Sequence, residues 1–125
     1  MTTTTQPKPN CERGEIILAL FPHSDLRTAK TRPALIVQAD DLQTGLPQVI
    51  VAMITSRSFR ANHPSRVLIR LSTPEGQHSG LLTDSVVMTD NLATIAEAAI
   101  ERGIGTMPMA DVDKALRYTL GLQVR

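Results

Sequence analysis

Tryptophan is absent from this 125-residue chain, tyrosine occurs once and phenylalanine twice. A module that holds single-stranded nucleic acid by stacking bases on aromatic rings needs more of them, so any such grip here falls to arginine. One cysteine, Cys11, excludes an internal disulfide framework and fits a reducing cytoplasm. No apolar run has the length of a membrane span, and no signal-peptide core is legible. A cytoplasmic protein with no membrane contact is therefore expected. Zinc-site spacing is missing, because Cys11, His23, His63 and His78 are scattered, and there is no glycine-rich phosphate loop. Neither a metal nor an organic cofactor is expected.

What is present is a chain long enough for one domain with a real core. The opening MTTTTQPKPN is polar, repetitive and broken by prolines, so residues 1–12 are expected to form a disordered tail and residues 13–125 a single domain. The net charge of +1 conceals an asymmetry. From His23 to Arg70 there are seven cations (Arg27, Lys30, Arg32, Arg57, Arg60, Arg66, Arg70) against three acids. From Leu71 to Asp113 there are seven acids and one cation, Arg102. One half is thus suited to a polyanion, although sequence order is not surface order.

Short β-branched runs bounded by turn residues predict strands at 14–20, 33–39, 48–55, 66–71, 84–89 and 100–106. Thr94-Ile95-Ala96-Glu97 has capping-box spacing and predicts one helical turn. Met109, Val112, Leu116 and Leu120 recur at helical spacing after Pro108, which predicts an amphipathic C-terminal helix with Asp113 and Arg117 as an outward ion pair. The expected fold class is α+β, a small, strongly curved antiparallel sheet with that helix.

The abrupt stretch SDLRTAKTRPALIVQAD (Ser24–Asp40) sets Arg32 before Pro33, at the mouth of an apolar strand. Such an arginine is either a solubilising gatekeeper charge or a guanidinium aimed from a rigid strand at a phosphate. A series of short motifs in fixed order bears on the choice: Arg13-Gly14-Glu15-Ile16, Arg32-Pro33-Ala34-Leu35-Ile36-Val37, Ile54-Thr55-Ser56, Gly80-Leu81, Asp84-Ser85-Val86-Val87, Ile104-Gly105, Val112-Asp113-Lys114-Ala115-Leu116 and Leu120-Gly121-Leu122. In order and spacing these resemble the RGEI, RPALVV, ITS, GL…DSVV, IG, VDxAL and LGL of the MazF/PemK toxins of bacterial type II toxin–antitoxin systems. The resemblance covers residues 13–122 and is strongest to a PemK-like branch with an FPxTDL-type loop, here Phe21-Pro22-His23-Ser24-Asp25-Leu26. Where many members read DQIRT, this chain reads Asp90-Asn91-Leu92-Ala93-Thr94, with alanine in place of the arginine.

The resemblance implies an SH3-like curved barrel, a homodimer, and sequence-selective, metal-independent cleavage of single-stranded RNA restrained by an antitoxin with an acidic segment. It assigns Arg32 and Thr55 to the catalytic site. Chemistry agrees in outline: cleavage through the ribose 2′-OH needs a cation for the phosphorane charge and groups to move two protons. An arginine suits the first task and is a poor base. For proton transfer the sequence offers Asp90, His23 and His63. Arg27, Lys30, Arg57, Arg60, Arg66 and Arg70 form the expected RNA-facing set. On the same scaffold the alternative is a toxin that cleaves nothing, acting either by protein binding like CcdB-type gyrase poisons or by binding RNA alone.

Overall fold

The computed structural model describes residues 11–22 and 29–122. Six antiparallel strands, β1 (Glu15–Pro22), β2 (Ala29–Ile36), β3 (Gln48–Thr55), β4 (Arg66–Ile69), β5 (Ser85–Ala96) and β6 (Ile100–Thr106), form one sheet in the order β4-β5-β3-β2-β1-β6. A short helix α1 (Pro74–His78) lies between β4 and β5, and α2 (Ala110–Leu120) ends the fold. No described helix is long and apolar enough to cross a membrane.

Pleating sends alternate residues of the central strands to opposite faces, and both faces are buried. Ile16, Leu35, Ala52, Ile54, Val87 and Val112 make one core, which α2 covers through Val112 and Leu116. Ile17, Ala19, Ala34, Ile36, Val49 and Val51 make a second, covered by Phe21, Ala93, Ile95 and Ile100. This is why Ala34-Leu35-Ile36-Val37 reads as an unbroken apolar run: each residue is buried, by turns on one face and the other.

Several expectations are corrected. β2 begins at Ala29 rather than Pro33, because Ala29–Thr31 pair with Leu20–Pro22 of β1. Thr94 to Ala96 are strand, not a helical turn: Ala93 and Ile95 point inward while Thr94 and Ala96 stay exposed, a period of two, and a 3-10 turn follows only at Glu97–Ala99. Asp113 pairs with Arg13 rather than Arg117. Arg13 also donates from Nε to the Val37 carbonyl (3.0 Å), so the first motif residue fastens the entry of β1 to α2. The sheet is not closed into a barrel by hydrogen bonds; β4 and β6 are its edges. Residues 78–80, which follow α1, lie with their backbone directly against Ile104 and Gly105 of the β6 edge.

Candidate active site

The β2–β3 ladder consists of Ala34–Met53, Leu35–Ala52 and Ile36–Val51, and it stops at Pro33. Proline has no N–H to donate, so it ends pairing on the side where a donor is needed. Beyond it a groove of about 490 Å³ opens between the two strands. Lys30, Thr31, Arg32 and Pro33 form one wall, Ile54, Thr55, Ser56 and Arg57 the other. Leu18, Leu81 and Ile104 supply apolar floor, and Arg102 enters from β6.

Carried two residues past its last pair, the register sets Arg32 opposite Thr55. Arg32 sits inside β2, paired with Ala19 of β1, and only on its β3 side is it at the end of a ladder. Among the described residues the ion pairs are Arg13–Asp113 and Arg66–Asp90, so Lys30, Arg32, Arg57 and Arg102 face the groove without a carboxylate partner. Among the described residues no Asp or Glu lines it. The Thr55 hydroxyl accepts the backbone N–H of Arg57 at 3.2 Å, which leaves its own proton to donate into the groove.

The other residues proposed from sequence divide sharply. His23 and Arg27 lie outside the described residues. Lys30 and Arg57 line the groove. Asp90, His63, Arg60 and Arg66 gather elsewhere, around a break in β5. Pairing with β3 jumps from Met53–Met88 to Ala52–Leu92, so Thr89, Asp90 and Asn91 bulge from the ladder. There the Asp90 carboxylate takes both Arg66 Nη2 (2.8 Å) and Nε (3.3 Å). Arg66 Nη1 donates to the Arg60 carbonyl (3.1 Å). His63 Nδ1 accepts the Ser65 N–H (3.1 Å), which puts the neutral ring's proton on Nε2, and the ring meets Tyr118 edge-on. Thr89 Oγ1 donates to the Ser65 carbonyl (2.6 Å) and so accepts from Thr119 Oγ1 (2.7 Å). This network joins the 58–65 loop to β5 and α2. Arg70 is exposed beside α1, its carbonyl accepting from Thr73 Oγ1 (2.6 Å).

Arg66 beside it, chiefly through that hydrogen bond, holds the Asp90 carboxyl below its ordinary pKa. A depressed folded-state value contributes stability above the unfolded pKa of about 3.9 and loses it as pH falls through the folded value. The Asp90→Asn variant should therefore melt below the wild type at neutral pH. The two melting temperatures should begin to draw together below about pH 4 and meet once pH has fallen through the lowered folded value. Parallel melting curves across that range would show that the ion pair contributes nothing to folding.

Arg102 escaped sequence reading as a site residue. Its signal was its isolation, the sole cation from Leu71 to Asp113, followed by the glycine-broken Gly103-Ile104-Gly105. Ala93, which replaces the arginine of the usual motif, pairs with Val51 and packs on the second core.

A coiled antiparallel sheet carrying one C-terminal helix, with a cation-lined cleft opened by a proline, defines a small α+β domain with a polyanion-compatible site. Its sequence matches, over residues 12–120, the family described as PemK-like, MazF-like toxin of type II toxin-antitoxin system. It is 35% identical over 115 residues to Endoribonuclease MazF2 of Mycobacterium bovis and to Endoribonuclease MazF6 of Mycobacterium tuberculosis, spanning 88% of this chain and 96% of each relative. Among solved structures it is similar to a mycobacterial endoribonuclease in complex with its cognate antitoxin (TM-score 0.67, 24% identity, 91% of this chain and 98% of that one). It is also similar to a MazE–MazF complex from Deinococcus radiodurans (TM-score 0.66, 16% identity, 94% and 100%). The chain belongs to the PemK/MazF-like family of type II toxin–antitoxin toxins.

Proposed function

We propose that this toxin is an endoribonuclease that cuts single-stranded mRNA in the groove between β2 and β3. The observation that carries the reading is that Arg32 and Thr55 line facing walls of one groove whose charged lining, among the described residues, is wholly cationic. A ribose 2′-oxygen attacks the adjacent phosphorus, the bond from phosphorus to the 5′-oxygen breaks, and the products are a 2′,3′-cyclic phosphate and a 5′-OH. Negative charge grows on the non-bridging oxygens as the phosphorane forms. Arg32 neutralises it with a permanently charged, two-pronged donor. Thr55, its oxygen already occupied by the Arg57 N–H, donates its proton to the same phosphate and fixes its orientation.

The proton leaving the 2′-OH needs an acceptor, and among the described residues the groove contributes neither carboxylate nor imidazole. His63 and Asp90 are engaged with Ser65 and Arg66, which favours a structural part for both. His23, between β1 and β2 in sequence, is the remaining imidazole of the three proposed proton carriers. The active form is a homodimer, and an antitoxin whose acidic segment competes with RNA for the cationic groove holds it silent. The similar mycobacterial endoribonuclease solved in complex with its cognate antitoxin supports that partnership.

The test is incubation of a long, mixed-sequence RNA with the protein in EDTA, followed by mapping of the ends. Cuts at a recurring short sequence with 5′-OH ends are expected. Thr55→Ala should lower the rate tenfold or more, on the order of one lost charge-directed donor, and Thr55→Ser should keep most of it. Intact RNA after incubation with a folded protein would overturn the nuclease reading.

A further inference from the structure

We infer that Arg102 of β6 is a second phosphate-binding residue, holding a phosphate next to the one that reacts at Arg32. The inference rests on the nuclease reading above and adds a substrate contact to it.

The two arginines flank β1. Arg32 is opposite Ala19 on the β2 side, and Arg102 is opposite Leu18 on the β6 side. Two strand spacings separate their backbones, on the order of 10 Å. Paired with neighbouring residues of β1, the two side chains leave opposite faces of the sheet and are brought to one ligand by the groove at its end, which both line. One guanidinium cannot serve both positions, whereas an extended RNA strand following the groove presents successive phosphates to each. The β1–β6 ladder shifts register between Ile16 and Ile17 and again between Leu18 and Ala19. Ile104 and Glu101 are the extra residues, so irregularities stand on both sides of Gly103-Arg102. Bulges of this kind re-aim side chains. Here they set Arg102 opposite Leu18, which forms groove floor with it.

The charge pattern agrees. Glu101, its neighbour, accepts a hydrogen bond from Thr31 Oγ1 (3.0 Å) rather than pairing with Arg102. Arg102 is exposed and its side chain forms no ion pair among the described residues; its part in the fold is its backbone's place in the β1–β6 ladder. The only cation of an otherwise acidic stretch is thus delivered to the one groove that carries Arg32.

The test compares wild type, Arg102→Ala and Arg102→Lys on a short RNA containing the mapped cut site. A second RNA has the flanking phosphate replaced by a neutral methylphosphonate. Arg102→Ala should raise KM about tenfold, with a smaller effect on kcat, and Arg102→Lys should recover part of the loss. The log–log salt dependence of binding should become shallower by about 0.7, the single-strand value for one phosphate contact. The methylphosphonate should weaken binding by wild type and leave binding by Arg102→Ala unaffected. If wild type cuts RNA but KM, salt slope and methylphosphonate sensitivity are the same in Arg102→Ala, this inference is wrong and the nuclease reading stands. If wild type does not cut RNA, the failure lies with the nuclease reading.

Discussion

Arg32→Ala is expected to lower kcat for RNA cleavage by on the order of 10²–10³-fold, the usual effect of removing a donor aimed at developing transition-state charge. Its melting temperature should stay at the wild-type value. The two expectations separate because Arg32 is exposed and forms no ion pair among the described residues, while the strand beneath it is fixed by Ala34, Leu35 and Ile36, all fully buried. Arg32→Lys should recover only part of the rate: it restores the charge but offers a point donor in place of a planar fork. Measuring kcat and the thermal midpoint on the same preparations checks both. Full activity in the folded Arg32→Ala protein would remove this residue from the mechanism. A large drop in midpoint would mean that its charge serves the fold.

Gly80→Ala should destabilise the protein by more than about 3 kcal/mol, because it combines backbone strain with an overlap that no side chain can relieve. Gly80 has φ of +74°, and a Cβ there would stand 2.0 Å from the Ile104 carbonyl oxygen. Two other glycines separate the contributions. Gly45 has φ of +77° with open space around its missing Cβ, so Gly45→Ala should cost only the conformational part, about 1 kcal/mol. Gly105 has no positive φ, yet its Cβ would meet the Ser79 carbonyl carbon and oxygen at 2.3 Å. Gly105→Ala should therefore approach Gly80→Ala in cost. Urea unfolding of the three variants gives the order. A cost for Gly80→Ala no larger than for Gly45→Ala would mean that the 78–81 segment can move away from β6 freely. That segment leads into Leu81 and Leu82 of the groove, so losing it would also blunt cleavage.

Most of the strands were legible because burial on alternating faces leaves a local trace. Gln48–Thr55 is bounded as its β-branched run predicts, and α2 follows its apolar spacing to within two residues at either end. The errors fall where distant residues decide. Thr94 and Glu97 have the spacing of a helix start, but Val49 and Val51 of β3 offer Ile95 and Ala93 a ladder, and tertiary pairing prevails over a weak local signal. Asp113 has Arg117 one turn away and instead takes Arg13, one hundred positions earlier. The same limit governs the site. Arg32 and Thr55 could be named from their motifs, and their juxtaposition follows from two neighbouring strands. The cluster of Asp90, Arg66 and His63 depends on a bulge in β5 that nothing in Thr89-Asp90-Asn91 announces. Arg102 depends on a register shift in β6, so both were visible only once strands were paired.

Seven positions of β2 are laddered to β1, from Leu35–Ile16 to Ala29–Pro22, and only three to β3. The two banks of the cleft are consequently held differently. The bank bearing Lys30, Arg32 and Arg102 is a single plate of hydrogen-bonded strands β2, β1 and β6, whereas the bank bearing Thr55 and Arg57 shares ladder bonds with β2 only below Pro33 and meets β6 through the packing of residues 78–80. No ladder bond between β2 and β3 spans the cleft, so the amides facing the opening should exchange with solvent sooner than those of the plate.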